Sequence, residues 1–212
     1  MIEFSNIHKS FGSKTVLRGI SLKIEEGEVV FIVGTSGAGK SVLMKHLIGL
    51  ERPDSGRVHY RGIDITDYSE QAFYGIRRKC AMVFQHSTLF DSMTLAQNVA
   101  LPLLKHLKLP SGEAISEAKN LLKKVDLGSL SESFPAEIGA GLQKRAAIAR
   151  ALACRPEAII FDEPTTALDP AAALDIDQLI RQLADRVGVT CVVVSHDLRS
   201  IFTVADRIVF LY

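Results

Sequence analysis

The sequence predicts an α/β fold built on a largely parallel core sheet. Three short runs rich in β-branched residues have the length and apolar character of buried strands, and they are Val29–Val33, Ala158–Phe161 and Cys191–Val194. Segments of helical character separate these runs, and an alternation of strand and helix is typical of a parallel sheet. A glycine-rich loop, Gly34–Ser41, joins the first run to a helical segment.

Local patterns predict further strands, helices and turns. Val16–Ile24 mixes apolar and polar residues as a strand does, and Ser41–Leu50 has leucines at helical spacing. Pro53–Gly56 predicts a turn that leads into a strand at Arg57–Tyr60. The last residues, Arg207–Tyr212, predict one more strand.

A helical insertion is expected in the middle of the chain. Residues 91–130 are rich in Leu, Lys, Ala and Glu, and Pro102 and Pro110 should interrupt the helices there. Ala146–Ala153 is strongly helix-forming, and Ala171–Arg186 predicts a helix between two strands of the core.

The length of 212 residues suits one domain with a subdomain. We expect a core formed by residues 1–85 and 157–212, with an antiparallel β part at its N-terminus, and an inserted helical subdomain over about 86–156. Apolar residues make up 47% and charged residues 23%, which are ordinary values for a globular protein.

Charge and cysteine content argue against several classes of protein. The 25 basic and 24 acidic residues give a net charge of +1, so we expect no nucleic-acid partner. Cys80, Cys154 and Cys191 lie too far apart in sequence for a paired metal motif or a disulfide framework. No apolar run is long enough to span a bilayer, and Met1–Phe4 does not begin a signal peptide.

The glycine-rich loop is the most specific motif of the chain. Gly34–Ser41 fits the pattern G-x-x-x-x-G-K-[ST], whose fixed positions coincide by chance in roughly one chain in a hundred of this length. Glycines let main-chain N–H groups close around phosphate oxygens, and the N-terminus of the next helix adds partial positive charge. Lys40 would then reach the β- and γ-phosphates of a nucleoside triphosphate, and the Ser41 hydroxyl would bind Mg²⁺. An incidental glycine-rich turn is the alternative.

Acidic and histidine side chains follow two other predicted strands. Asp162 and Glu163 end an apolar strand, at the edge where α/β sheets bind ligands. Asp162 is placed to hold Mg²⁺, and Glu163 is placed to deprotonate the attacking water. His196 is placed to contact the γ-phosphate. Its neighbours Ser195 and Asp197 do not complete a hydrolase triad, because side chains adjacent in sequence diverge.

These motifs stand in an order that resembles the ATP-binding cassette (ABC) ATPases over the whole chain. The matching segments are Phe11 (the adenine-contacting aromatic), Gly34–Ser41 (Walker A), Gln85 (Q-loop), Ile159–Glu163 (Walker B), Ala167–Asp169 (D-loop) and His196 (switch histidine). The resemblance implies the P-loop NTPase (RecA-like) fold, ATP and Mg²⁺ as cofactors, and catalysis of ATP hydrolysis.

The resemblance also implies a role for individual residues. The implied nucleotide contacts are Phe11, Gly34, Thr35, Ser36, Gly37, Ala38, Gly39, Lys40, Ser41, Val42, Gly139, Ala140, Gly141 and Asp169. The implied magnesium contacts are Ser41, Gln85 and Asp162. The implied catalytic residues are Glu163, His196 and Gln85.

One segment departs from the family pattern. The signature of the family usually reads Leu-Ser-Gly-Gly-Gln and corresponds here to Ile138–Leu142. In the family the serine hydroxyl contacts the γ-phosphate held by the opposite subunit. Gly139 lacks that hydroxyl and Ala140 adds a methyl group, while the main-chain amides and the helix dipole remain. Family members also usually continue past the position of Tyr212 through a further strand and helix.

The resemblance implies a transporter subunit. We expect an ATPase that forms a homodimer across ATP and docks on integral-membrane permease subunits at the cytoplasmic face of the inner membrane. Phe84–Thr94 and Gly188–Asp197 resemble the Mla-type ATPases, which implies phospholipid transport together with lipid-binding MCE proteins.

Three other functions stay open at this point: an importer ATPase for another small solute, a low-turnover nucleotide-gated regulatory subunit, and a soluble cassette that acts on DNA or the ribosome. The altered signature favours the regulatory subunit, whereas Asp162, Glu163 and His196 argue against it. The sequence has no basic patch or second cassette that would favour the soluble protein.

Overall fold

Two sheets organise the fold of the computed structural model, which describes residues 1–212. The strands are β1 (Ile2–Phe11), β2 (Lys14–Ile24), β3 (Val29–Gly34), β4 (Ser55–Tyr60), β5 (Ile63–Asp64), β6 (Cys80–Val83), β7 (Ala158–Asp162), β8 (Thr190–Val194) and β9 (Arg207–Leu211). The helices are α1 (Lys40–Leu47), α2 (Glu70–Lys79), α3 (Leu95–His106), α4 (Ser111–Lys124), α5 (Ala140–Leu152), α6 (Pro170–Gln182) and α7 (Leu198–Val204). A π-helical turn, Leu183–Val187, continues α6, and short 3₁₀ turns lie at Gly128–Leu130 and Pro135–Glu137.

The core sheet is parallel throughout. Its strand order is β6-β7-β8-β3-β9. Strands β3, β7 and β8 consist almost wholly of buried residues, as expected for a sheet that is covered on both faces. Successive side chains point to opposite faces, so Phe31 belongs to one buried cluster while Val30 and Ile32 belong to the other. The predicted α/β fold with a mostly parallel core sheet is confirmed.

The second sheet is antiparallel and has the strand order β2-β1-β4-β5. It packs against one face of the core sheet, where Ile2, Phe4 and Ile24 share a buried cluster with residues of β3. The antiparallel N-terminal part was expected, but β1 and α2 were not predicted. Only Phe73 and Ile76 of the ten residues in α2 are buried, so the helix has few apolar residues by which its sequence could reveal it.

Three helices form the expected insertion between β6 and β7. Helices α3, α4 and α5 pack on one another and share a buried cluster with the adjacent face of the core sheet. No helix of the chain is both long and apolar enough to cross a membrane. The division into a core of residues 1–85 and 157–212 and a helical subdomain over about 86–156 stays a prediction.

The structure corrects one of the expected helix breaks. Pro110 does separate two helices, since it stands at the N-terminal cap of α4. Pro102 lies inside α3, which continues through it. A proline removes one main-chain hydrogen bond from a helix. The buried face formed by Leu95, Val99 and Leu103 runs past Pro102 and holds α3 against its neighbours despite that loss.

The loop between β6 and α3 contains Gln85, and one buried side chain holds the end of the loop that leads into α3. Asn98 of α3 is fully buried. Its Oδ1 accepts a hydrogen bond from the amide of Phe90 at 2.7 Å, and its Nδ2 donates to the carbonyls of Phe90, Met93 and Thr94 at 3.0, 3.1 and 3.1 Å. A single amide therefore fixes the end of the loop on the helix that follows it.

We expect Asn98→Leu to lower the free energy of unfolding by about 2–4 kcal/mol, because the amide of Phe90 and the carbonyl of Met93 would lose the hydrogen bonds that Asn98 supplies. The exposed residue Asn120 of α4 offers the matched control, and Asn120→Leu should change stability by less than about 0.5 kcal/mol. Urea denaturation followed by circular dichroism measures both. Equal stabilities of the two variants would contradict the role given to Asn98.

Candidate functional site

A cavity of about 780 Å³ opens at the carboxyl ends of the core strands. The predicted site residues that line it are Phe11, Gly34, Thr35, Ser36, Gly37, Gly39, Lys40, Ser41, Val42, Gln85, Glu163 and His196. Ala38 packs instead against the buried cluster beneath the loop. A second cavity of about 720 Å³ lies at the opposite ends of the strands, beside Glu157 and Val189, and contains none of the predicted residues.

The glycine-rich loop presents unpaired main-chain amides. Gly37 and Gly39 have φ angles of 81° and 91°, in the left-handed region that favours glycine. A Cβ on Gly39 would lie 2.5 Å from the side chain of Leu17, so no larger residue fits there. No hydrogen bond within the chain is donated by the amides of residues 36, 37, 39, 40 and 41. Such amides at a helix N-terminus form an anion site, so the loop fits a chain of phosphates.

The charged and hydroxyl groups beside the loop fit the same ligand. Lys40 Nζ donates to the carbonyl oxygens of Gly34 and Thr35 at 2.8 and 3.0 Å, so the ammonium lies along the loop. Ser41 Oγ donates to Asp162 Oδ1 at 2.7 Å and thereby links α1 to the end of β7. A hydroxyl and a carboxylate are oxygen ligands of the kind that Mg²⁺ binds alongside nucleotide phosphates.

Glu163 stands in a strained conformation at the cavity. Its φ of 50° is unusual for a residue other than glycine, and such strain is found mainly at functional sites. The amide of Glu163 donates to the carbonyl of Val194 at 2.8 Å, which fixes the backbone. Nδ1 of His196 lies 3.1 and 2.9 Å from its two carboxylate oxygens, and Thr166 Oγ1 donates to Oε2 at 3.1 Å. The carboxylate is therefore oriented by two side chains.

Phe11 lies at the edge of the cavity. Its ring is 46% exposed, and Lys9 Nζ lies 5.2 Å from the ring centroid. A half-exposed aromatic ring can stack on a base, so the structure leaves room for the predicted adenine contact. Lys14 and Val16 line the same wall and were not predicted. Both begin β2, which pairs with β1 directly after Phe11, so a hairpin prediction there would have placed them at this edge.

The signature and D-loop residues lie elsewhere, in a groove of about 230 Å³. Gly139, Ala140 and Gly141 begin α5 at this groove, and Asp169 lines it as well. The Asp169 carboxylate caps α6 by accepting hydrogen bonds from two of its amides at 3.0 and 2.9 Å. These four residues thus form a group of their own, and one chain does not bring them to the glycine-rich loop.

Gly139 caps α5 in a conformation that any residue can adopt. Its φ and ψ are −69° and 162°, and no side chain caps the helix. A Cβ added at Gly139 would meet nothing within 4 Å. The backbone at this position does not require glycine. Having glycine where the family has serine therefore removes a hydroxyl group and gives no conformational advantage.

Helix α5 also contacts the loop that contains Gln85. Lys144 is 2% exposed, and its Nζ donates to the carbonyls of Phe84 and Gln85 at 2.9 and 2.6 Å. Burial lowers the pKa of Lys144 to about 8, and the Asp162 carboxylate acts in the opposite direction. Lys144 was not predicted as a site residue. The sequence offered one sign that Lys144 is special. It lies one turn before the buried Ile148 on the same face of the helix, where a lysine is unusual.

Comparison with known proteins agrees with this geometry. The family model described as ABC transporter matches residues 17–166, which is more than half of the chain. The chain belongs to the ABC transporter family. The glutamine transport ATP-binding protein GlnQ of Geobacillus stearothermophilus is 41% identical to this ABC chain over 211 residues, which cover 100% of this chain and 86% of that protein.

Other ABC relatives are longer. The methionine import ATP-binding protein MetN of Brucella abortus (strain 2308) is 38% identical over 211 residues, which cover 100% of this chain and 57% of that protein. The chain thus spans just over half the length of this relative. These relatives are named for methionine and glutamine, so they support the ABC assignment but not its finer Mla-type form.

Solved ABC structures share the fold. The dimeric structure of a post-hydrolysis state of the ATP-binding cassette MJ0796, bound to ADP and Pi, has a TM-score of 0.90 and 35% identity, and covers 100% of this chain and 94% of that chain. The cbiO1 protein from Clostridium perfringens has a TM-score of 0.90 and 29% identity, covering 99% of this chain and 84% of that chain. The predicted P-loop NTPase fold is confirmed.

Helix packing requires glycine at position 141, in addition to the nucleotide contact predicted for Gly141. A Cβ on Gly141 would lie 2.9 Å from Cβ of Ala172 in α6, so the two helices touch at this point. Gly112 in α4 is a matched helical glycine, and a Cβ there would meet nothing within 4 Å. The close contact of α5 and α6 therefore depends on the absence of a side chain at Gly141.

We expect Gly112→Ala to raise the free energy of unfolding by about 0.5–1 kcal/mol, because alanine favours helix. Gly141→Ala should lower it by about 1 kcal/mol, because overpacking outweighs that gain. Adding Ala172→Gly to Gly141→Ala should relieve the clash and restore part of the loss. Chemical denaturation measures all three variants, and a stabilised Gly141→Ala protein would refute the packing argument.

Proposed function

We propose that this chain is the ATP-binding and ATP-hydrolysing subunit of an ABC importer for a small solute. The observation that carries the proposal is a single cavity that joins the unpaired loop amides, the Lys40 ammonium and the contact of Glu163 with His196. The first two suit the phosphates of ATP, and the third suits activation of water.

Different residues of the site bind different parts of the nucleotide. The loop amides and the N-terminus of α1 hold the phosphates, and Lys40 lies within reach of the β- and γ-phosphates. Phe11 stacks on the adenine. Ser41 and Asp162 hold Mg²⁺, with Gln85 facing the same cavity. Bound Mg²⁺ supplies positive charge that offsets the negative charge of the phosphates.

The catalytic residues act on water. Glu163 accepts a proton from the water that attacks the γ-phosphorus, and the products are ADP and phosphate. His196 keeps the carboxylate oriented through its Nδ1, and Thr166 donates to the same group. This oriented base argues against the low-turnover regulatory alternative, because a subunit that only binds nucleotide has no need of it.

The complete site needs a second copy of the chain. The N-terminus of α5 and Asp169 lie in a groove apart from the glycine-rich loop. In a homodimer, α5 of one copy faces the loop of its partner and adds its own amides to the γ-phosphate. A solved relative with a TM-score of 0.90 is described as dimeric, which supports this arrangement.

The transport role is proposed from the relatives. A methionine importer and a glutamine transporter favour a small solute, and an amino acid above all, over the phospholipid expected from Phe84–Thr94 and Gly188–Asp197. The chain would dock on a permease at the cytoplasmic face of the inner membrane, without MCE proteins. Co-purification of the native complex, with identification of the membrane partner and its bound solute, tests this; a phospholipid carrier would overturn it.

We expect Glu163→Gln to keep ATP binding and to slow hydrolysis by about 10²–10⁴-fold, because the amide keeps the shape and loses the base. ATP should then hold the variant as a stable dimer, which light scattering detects. Lys40→Ala is the contrasting control, since it should lose ATP binding itself. Undiminished hydrolysis by Glu163→Gln would remove Glu163 from its role.

Gly139→Ser should raise turnover by about tenfold, because a hydroxyl at this cap adds one hydrogen bond to a charged phosphate. The backbone at Gly139 accepts serine without strain. Gly112→Ser, at an open position of α4, is the control and should leave turnover unchanged. Steady-state ATPase rates decide. No change in Gly139→Ser would mean that the chain holds the second phosphate by its backbone alone.

A further inference from the structure

The residues that follow β6 belong to neither sheet nor helix. We call residues 84–88 the Gln85 segment. No hydrogen bond between main-chain groups reaches it. Yet Gln85 lines the cavity of the glycine-rich loop, so its position matters to the site. Something other than secondary structure must hold this segment in place.

Lys144 of α5 holds the first half of the Gln85 segment. Its ammonium donates to the carbonyls of Phe84 and Gln85 at 2.9 and 2.6 Å. These are the only hydrogen bonds that the Lys144 side chain makes, and it forms no ion pair although the residue is 2% exposed. Burying an ammonium without a carboxylate partner is unfavourable. An apolar residue would pack α5 more favourably, so the two carbonyl bonds are what the lysine provides.

Arg150 holds the second half from the same helix. Its guanidinium donates to the carbonyl of Ser87 at 3.2 Å, and to the carbonyl and hydroxyl of Thr88 at 2.8 and 2.9 Å. Four of the five carbonyls in the Gln85 segment therefore accept a hydrogen bond from α5. The hydrogen bonds therefore attach the Gln85 segment to α5, although the segment is joined covalently to β6.

The position of Lys144 on α5 connects the Gln85 segment to the N-terminal end of that helix. Helix α5 begins at Ala140, in the groove that contains Asp169, and Lys144 lies in its second turn. Lys144 does not line the cavity, whereas Gln85 does. Apart from its charge interaction with Asp162, Lys144 therefore reaches the site through the main chain of Gln85.

We propose that Lys144 is a positioning residue, which holds the main chain of Gln85 so that its side chain faces the cavity, and which ties that position to the N-terminus of α5. The inference rests on the proposed ATPase function. It assigns Lys144 to the turnover step and not to nucleotide affinity, because the Lys144 side chain makes no hydrogen bond to the glycine-rich loop.

The test compares two substitutions of Lys144 with one substitution at a control position. Lys144→Met keeps the length of the side chain and removes its donors, while Lys144→Arg keeps donors and charge. Lys124→Met, at an exposed residue of α4 without a hydrogen-bond partner, is the matched control. We expect Lys144→Met to lower kcat by tenfold or more, as loss of hydrogen bonds from a charged donor implies. Affinity for trinitrophenyl-ATP should stay within about twofold of wild type, since no ligand of the phosphates is altered.

Limited proteolysis gives a readout apart from activity. In the nucleotide-free protein, Lys144→Met should speed chymotryptic cleavage after Phe84 and leave cleavage after Phe202, an exposed residue of α7, unchanged. Lys144→Arg should restore slow cleavage after Phe84 and most of kcat. A wild-type kcat in Lys144→Met, a parallel loss of kcat and nucleotide affinity, or unchanged cleavage after Phe84 would each overturn the proposal.

A folding failure of Lys144→Met would move the test to Lys144→Gln, whose shorter amide reaches one carbonyl. That variant should lose about threefold in kcat at unchanged nucleotide affinity, and an unchanged kcat would overturn the proposal. A wild-type protein without ATPase activity would refute the proposed function instead. The rate of chymotryptic cleavage after Phe84 in Lys144→Met would then still decide whether Lys144 holds the segment.

Discussion

The site depends on the register of one strand. Val194 ends β8 and is aligned with Ile32 of β3 on one side and with Asp162 of β7 on the other. The amide of Glu163 donates to the Val194 carbonyl, and the amide of Ser195 donates to the Ile32 carbonyl. Strands β7 and β8 therefore end at the same level, while β3 continues two residues further to Gly34. A slip of one residue would point every following side chain to the other face.

This register explains why much of the site could be predicted from sequence. Lys40, Glu163 and His196 each follow a buried apolar strand closely, and parallel strands bring such positions to one edge. The pattern of the glycine-rich loop supplied the ligand class. Local pattern and global topology agree at these positions. The sequence alone therefore predicts the fold class and these residues of the cavity wall.

Other features depend on contacts that no local pattern records. Lys144 bonds carbonyls about sixty positions away in sequence, and its significance appears only when α5 lies beside β6. Pro102 was expected to break a helix because proline has a low helix propensity. The tertiary packing of α3 outweighs that propensity, and the helix continues through Pro102. The strand β1 escaped prediction because its buried and exposed residues alternate irregularly, with register shifts in its pairing to β2.

The groove that contains Gly139 and Asp169 has a kinetic consequence, because it lies apart from the cavity that contains Lys40. In the proposed homodimer, the catalytic unit is assembled from two separated halves and exists only when two chains meet. At high dilution its rate then rises with the square of protein concentration, and specific activity is not a constant. The proposed permease would hold two copies side by side, which would raise their effective concentration and remove this dependence. Turnover in solution and turnover on the membrane are thus different quantities for a chain built in this way.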